Sequence, residues 1–328
     1  MPRHLLIIAL FVLVLASAVR SEEADGGYAG AFYQVPIGAR PTALGGAYLA
    51  ISDDGTAPLY NPAGIARLTR PIFSSSYRFM QLDRSMGYVA AITPIRGEAA
   101  IGVSWLYAGS GKVEERDADG YALGRDFYQN SHQFSVVFGK TFDRRISLGA
   151  NISYVFSKMP KFDANSVGFD LGAMVYIDQF MSRERRGQTA IQDIRIGVAI
   201  KNISKKLRWV SDKYNMAYST SESGYEQEDK VPTEFGLGVS ARFFQRRLLV
   251  STDVVKNTEQ DPDLHAGAEY FVVPQFMLRT GYSAGRFVAG TGYVFVVGGK
   301  HQLAIDYAFS TDRADEGSEH IFSFDLLF

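Results

Sequence analysis

The sequence predicts an all-β fold: a 14-stranded antiparallel transmembrane β-barrel with an N-terminal plug segment. Three observations predict it. Apolar and polar residues alternate with period two along most of the chain. Short turns and long loops alternate between successive strands. The last strand carries one aromatic face, with Phe322, Phe324, Leu326 and Phe328 on one side and Ile321, Ser323, Asp325 and Leu327 on the other. In water such a strand would leave a fraying apolar end. As the closing strand of a barrel, its outer face meets lipid.

The first segment, 1–18, reads as a signal peptide. Arg3 and His4 give a basic start, Leu5 to Leu15 an apolar run, and Ala16-Ser17-Ala18 a small-residue cleavage site. The run is shorter than the ~20 residues a spanning helix needs. The chain has no cysteine, so disulfides, thiolate metal sites and an N-terminal lipid-modified Cys are excluded. The net charge of −1 gives no footprint for nucleic acid. Aromatic residues make up 13% of the chain and no long apolar run follows residue 18, as expected when lipid-facing and lumen-facing residues average out.

Alternation places fourteen strands at 71–80, 85–95, 98–108, 127–141, 145–157, 165–178, 191–201, 232–244, 246–256, 263–272, 275–283, 286–297, 299–310 and 319–328. In the fifth, Ile146, Leu148, Ala150, Ile152 and Tyr154 alternate with Ser147, Gly149, Asn151 and Ser153. Most strands are long enough to cross the hydrocarbon, which takes ~9–11 residues. Connections after even strands are mostly tiny: Arg96-Gly97, Asp143-Arg144, Gln245, Pro274 and Gly298. Those after odd strands are often long: 109–126, 202–231, 257–262 and 311–318. This asymmetry puts the short turns, and with them both termini, in the periplasm. One connection breaks the rule: 179–190, carrying Arg183, Arg185 and Arg186.

The faces opposite the apolar ones carry Asp170, Arg195, Glu234, Arg242, Asp253, Glu269, Arg279 and Asp306. A charge facing mid-membrane lipid costs ~2–4 kcal/mol for Arg or Lys, so these point into the lumen. They read as paired charges filling a polar interior; the other reading is a charged constriction or a catalytic set.

Residues 19–70 form the plug and 71–328 the barrel. Fourteen strands enclose a lumen too wide for wall side chains to fill, since about eight already pack their own interior. The segment is rich in small residues and turn formers, including Gly45-Gly46, Asp53-Asp54-Gly55 and Asn61-Pro62-Ala63-Gly64. Asp53-Asp54 reads as a solvated turn rather than a calcium site, because no further oxygen ligands follow at suitable spacing.

The run Gly38-Ala39-Arg40, Gly45-Gly46-Ala47, Asp53-Asp54 and Tyr60-Asn61-Pro62-Ala63-Gly64 resembles the N-terminal signature of PorV/PorQ-type outer-membrane proteins, which are similar to the FadL-like (long-chain fatty-acid transporter) barrels. The terminal strand, Phe322 to Phe328, likewise resembles the assembly signal of bacterial outer-membrane proteins. These resemblances imply fourteen strands, an N-terminal plug, residence in outer-membrane lipid and recognition by the barrel assembly machinery.

Function then divides in two. The first reading, implied by the PorV/PorQ resemblance, is a non-enzymatic accessory of type IX-like protein secretion that contacts exported proteins. Loop 202–231, with Trp209, Tyr214, Met216, Tyr218 and Tyr225 among charges, suits protein contact. The alternative is passive transport of hydrophobic ligands such as fatty acids. It requires a greasy pocket between plug and wall and a kink or gap in the barrel, and Phe32, Tyr33, Leu44, Tyr48 and Leu59 are its hints. No cofactor or metal is expected. Of His4, His132, His265, His301 and His320, none sits in a recognisable triad or His-Glu-x-x-His pattern.

Overall fold

The computed structural model describes residues 29–117, 119–159, 162–181, 189–210, 226–283, 285–311 and 317–328. The segment 1–18 expected to be a signal peptide, the arginines at 183, 185 and 186, and Tyr214, Met216, Tyr218 and Tyr225 lie outside them. No helix among the described residues is long and apolar enough to cross a membrane.

Among the described residues there are eighteen strands. They are β1 (Ile72–Phe79), β2 (Ser85–Ile95), β3 (Ala99–Gly109), β4 (Val113–Arg116), β5 (Ala122–Phe127), β6 (Asn130–Phe142), β7 (Ile146–Met159), β8 (Phe162–Tyr176) and β9 (Ile191–Ile203). Then follow β10 (Lys206–Val210), β11 (Glu226–Lys230), β12 (Glu234–Phe243), β13 (Leu248–Asn257), β14 (Asp263–Val273), β15 (Phe276–Ser283), β16 (Arg286–Val297), β17 (His301–Thr311) and β18 (Ser318–Leu327). Fourteen of them form the closed antiparallel wall. Each pairs with its neighbour, β8 meets β9, β9 meets β12, and β1 meets β18.

Two of the expected loops contain strands. Segment 109–126 includes most of the hairpin β4–β5, which forms a separate two-stranded sheet. Segment 202–231 begins and ends in β10 and β11, which pair with each other, while β10 also pairs with β8. Apolar periodicity missed β10 and β11 because their cross-strand pairs are charged: Lys206 with Glu228 at 3.1 Å, and Arg208 with Glu226 at 2.5 Å. The exceptional connection 179–190 follows a 3-10 helix, Ile177–Phe180.

The short turns concentrate left-handed residues: Gly97 and Glu98, Asp143 and Arg144, Phe244 to Arg246, Gly298 and Gly299. Tight hairpins need that conformation to match the twist of their strands. On the wall, burial alternates as the sequence does. Phe134, Val136 and Phe138 are exposed outward, while Gln133, Ser135 and Val137 between them are buried. In β18, Phe322 and Phe324 face outward and Ile321, Ser323 and Asp325 are buried, with Leu326 intermediate and Phe328 just past the strand end exposed. An apolar surface of this extent is stable only against lipid or another apolar phase.

The N-terminal segment runs inside this wall. It contains 3-10 helices at Ala31–Gln34 and Pro62–Arg67 and short helices at Ala39–Ala43 and Ala57–Tyr60. Its lower part meets the short-turn end: Ile65 and the Pro62–Ala63 backbone lie against Gly139 and Gly149. Its upper part reaches the long-loop end, where Phe32 packs near Met80 and Leu106, and Ala29 near Trp209. The N-terminus expected at the short-turn end lies outside the described residues. The first described residue, Ala29, lies at the other end, because the chain traverses the lumen before entering β1.

Candidate functional site

Inward glycines let backbone lie directly on the wall. A Cβ at Gly149 would overlap the Pro62–Ala63 peptide, and one at Gly197 would overlap the Leu49 carbonyl. Wall side chains then satisfy the backbone polar groups of the segment, as buried peptides require. The Leu49 N–H donates to Asp253 Oδ2 (2.8 Å), the Ala39 N–H to Ser323 Oγ (2.7 Å), and Ser251 Oγ to the Ala47 carbonyl (2.8 Å). His265 Nδ1 lies 2.7 Å from the Gly45 carbonyl, and Gly46 faces the same ring.

Asn61-Pro62-Ala63-Gly64 opens a helix rather than a simple turn. Asn61 Oδ1 accepts from the Ala63 N–H (3.1 Å), capping the 3-10 helix, with Pro62 at its first position. Asn61 Nδ2 donates to the carbonyls of Leu49 (2.8 Å) and Ala173 (3.1 Å), so one side chain joins segment to segment and segment to wall. Gly64 packs against the Ser52 backbone, where a side chain has no room.

Asp53 and Asp54 are not a solvated turn. Asp54 is buried; its Oδ1 accepts from the Thr56 N–H (2.9 Å) and hydroxyl (2.6 Å), and its Oδ2 bonds the Tyr48 hydroxyl. Asp53 pairs with Arg40 (2.6 Å) and Arg195 (3.3 Å). Burial opposes ionisation of Asp53, but Arg40 and then Arg195 overcome it and hold the carboxyl well below the usual range. Among the described residues no group of acidic or histidine side chains is arranged to hold a metal.

Arg40 is the hub. Its Nε and Nη2 donate to Glu269 (2.9 and 3.2 Å), and its Nη1 to Asp53 and to the Tyr48 hydroxyl (2.8 Å). Five of the eight expected lumen charges join this network. Arg279 sits between Glu269 (2.7 Å) and Asp306 (2.6 Å). Arg195 pairs with Asp193 (2.7 Å), which also meets Arg242 (3.3 Å). Four guanidinium groups thus alternate with four carboxylates from Arg242 through Asp193, Arg195, Asp53, Arg40, Glu269 and Arg279 to Asp306. The remaining three lie apart: Asp253 on the Leu49 backbone, and Asp170 and Glu234 beside a cavity higher in the lumen. Arg40 and Asp193 carried no assigned role in the sequence reading. Arg40 contacts a residue 229 positions away, which local patterning does not reveal.

That cavity, of about 120 Å³, lies between the segment and the wall. Its lining includes the apolar Val35, Ile37, Leu49, Leu59 and Leu106, a hydrogen-bonded group of Gln133, Asp170, Asn202 and Lys205 that makes a polar end, and further charges at Lys201, Glu234, Asp261 and Asp263. The polar end arises from a bend in the wall. Asn202 and Ser204 adopt left-handed backbone (φ 58 for each), and the β8–β9 register shifts between Phe169 and Leu171. Side chains replace ladder partners there: the Asn202 N–H donates to Asp170 Oδ1 and the Lys206 N–H to Ser166 Oγ, both at 2.8 Å. The bend turns Lys205 inward over Gly168. Above, toward the long loops, a vestibule of about 970 Å³ is lined by Phe32, Met86, Trp209 and Lys230, and Val35 belongs to the walls of both spaces.

No family model matches the chain, and no curated protein does. Solved structures do. The toluene transporter TbuX of Ralstonia pickettii superposes with a TM-score of 0.60 at 14% identity, covering 89% of this chain and 98% of its own. The toluene transporter TodX of P. putida gives 0.59 at 11%, with the same coverage. A Pseudomonas aeruginosa FadL homologue gives 0.56 at 12%, covering 92% and 99%. The chain shares their fold. At these identities the likeness is one of architecture, and it extends over nearly the whole length of each transporter. It bears out the fourteen-stranded architecture that the sequence resemblance implies.

Proposed function

We propose that this chain is an outer-membrane channel for passive entry of hydrophobic small molecules, with residues 29–67 as its plug. The reading rests on the cavity between segment and wall. It has an apolar side built by the segment itself, and it adjoins a vestibule open toward the long loops. The transporter-type fold supports the same reading. So does the bend at Asn202 and Ser204, a wall irregularity of the kind the transport alternative requires. Secretion, placed first from the sequence, drops to second because the transporters named above carry hydrophobic molecules in their names, not exported proteins. A channel needs no catalytic group, and the buried charges have structural partners. In this reading the long loops face outward, and the chain is exported by its 1–18 signal peptide and inserted through recognition of Phe322 to Phe328.

The test is uptake of radiolabelled toluene and oleate by a Gram-negative host lacking its own hydrophobic channels. Expression of the chain should raise uptake several-fold at limiting concentration. Unchanged uptake of both, with folded protein in the outer membrane, would reject the proposal.

A further inference from the structure

The cavity at the bend of β9 has a polar end whose hydrogen-bonding capacity is only partly used. Lys205 is 2% exposed, and its ammonium donates to two neutral acceptors, Gln133 Oε1 (3.1 Å) and Asn202 Oδ1 (3.0 Å). No carboxylate of the described residues lies within ion-pair distance of it. Its third N–H faces the Tyr33 ring, with Nζ 4.2 Å from the centroid. Opposite, Asp170 accepts one bond on each oxygen, from the Asn202 N–H and from Asn151 Nδ2 (2.9 Å). A carboxylate offers about four lone-pair positions, so two stay open. The Tyr33 hydroxyl is buried and has no hydrogen-bond partner among the described residues, which is unusual for a buried phenol. Burial first, and Asp170 second, raise its pKa, so it remains a neutral donor.

A donor engaged only by a ring face, an open acceptor and an orphaned hydroxyl meet in the lining of this cavity. A bare hydrocarbon would leave all three unsatisfied. An anion would gain Lys205 but meet Asp170. A neutral hydroxyl satisfies both, donating to the carboxylate and accepting from the ammonium or from Tyr33. The size also limits the ligand: at about 120 Å³ the cavity is smaller than the ~150 Å³ space that takes up benzene, so it admits no more than one ring, and a substituted ring extends past Val35 into the adjoining vestibule. We infer that the cavity is a binding site for a single-ring aromatic alcohol of the phenol class, its hydroxyl held between Asp170 and Lys205 and its ring against Leu59 and Leu106. This inference rests on the proposed transport of hydrophobic molecules and names the ligand class at the same site.

Equilibrium dialysis of the purified full chain in detergent tests it with toluene, p-cresol, 4-methylanisole and 4-methylbenzoate. p-Cresol should bind about tenfold tighter than toluene, the factor given by one charge-assisted hydrogen bond. 4-Methylanisole, which cannot donate, should lose most of that gain. Lys205→Met and Asp170→Asn should each reduce p-cresol binding severalfold and narrow its margin over toluene. The ligand series on the unmodified chain decides the matter even if a variant misfolds. Equal binding of toluene and p-cresol would overturn the inference while leaving hydrophobic transport standing. Tighter binding of 4-methylbenzoate than p-cresol would overturn the role of Asp170 as acceptor. Absence of binding by all four would reject the transport reading as well.

Discussion

Replacing Arg40 with Met keeps the volume of the side chain and removes its charge. Three guanidinium groups would then face four carboxylates along the chain from Arg242 to Asp306. Glu269, fully buried, would keep only Arg279 at 2.7 Å, and Asp53 only Arg195 at 3.3 Å. The Tyr48 hydroxyl would lose the guanidinium at 2.8 Å. Removing one partner of a buried ion pair destabilises by about 3–5 kcal/mol. Since each carboxylate here retains a second partner, about 3 kcal/mol is expected. The loss falls on the contact between segment and wall, so two readouts should move together. Guanidinium unfolding in detergent should show the lost stability, and planar-bilayer conductance should rise as the segment loosens. Adding Glu269→Gln should restore part of the stability by removing the uncompensated carboxylate. A variant within ~0.5 kcal/mol of the parent, with unchanged conductance, would refute the claim that this network fastens the segment.

Gly149→Ala should destabilise by about 1–3 kcal/mol through overpacking, whereas Gly87→Ala, whose Cβ meets only ordinary contacts, should not through packing; heat-modifiable gel mobility compares them. Asp53 has a folded pKa below its unfolded one, so its contribution is present above about pH 4 and is lost as pH falls through the lower folded value. Conductance should therefore stay low through the ordinary carboxylate range and rise only in stronger acid, and Asp53→Asn should abolish that acid step. Phe328→Asp should lower the yield of folded barrel in cells, read as the heat-modifiable fraction, because it places a charge at the outward end of the closing strand.

The wall was legible because its chemistry is local. Each strand announces itself by alternation, and each tight turn by a short polar or glycine pair. The strands that escaped, β10 and β11, are stabilised by Lys206–Glu228 and Arg208–Glu226 instead of an apolar face. Inward placement of Glu269, Arg279 and Asp306 could be read from strand faces, but not that Arg279 bridges the two acids. Asp53-Asp54 looked solvated because its partners, Arg40, Arg195 and Tyr48, come together only when the segment lies inside the wall. Lys205 fell beyond the expected strand end at 201, and only the left-handed pair Asn202 and Ser204 turns it inward.

Residues 29–67 touch the wall on every side: Ser323 on β18, Tyr88 on β2, Ala173 on β8 and Asp253 on β13. They also run from one mouth of the cylinder to the other before joining β1. A strand of chain that passes through a ring of its own making cannot be laid in easily after the ring has shut. A sheet that curls around this segment while still open avoids that threading, and the seam between β1 and β18, whose Ser74 and Asp325 meet across it, is where the first wall strand joins the last.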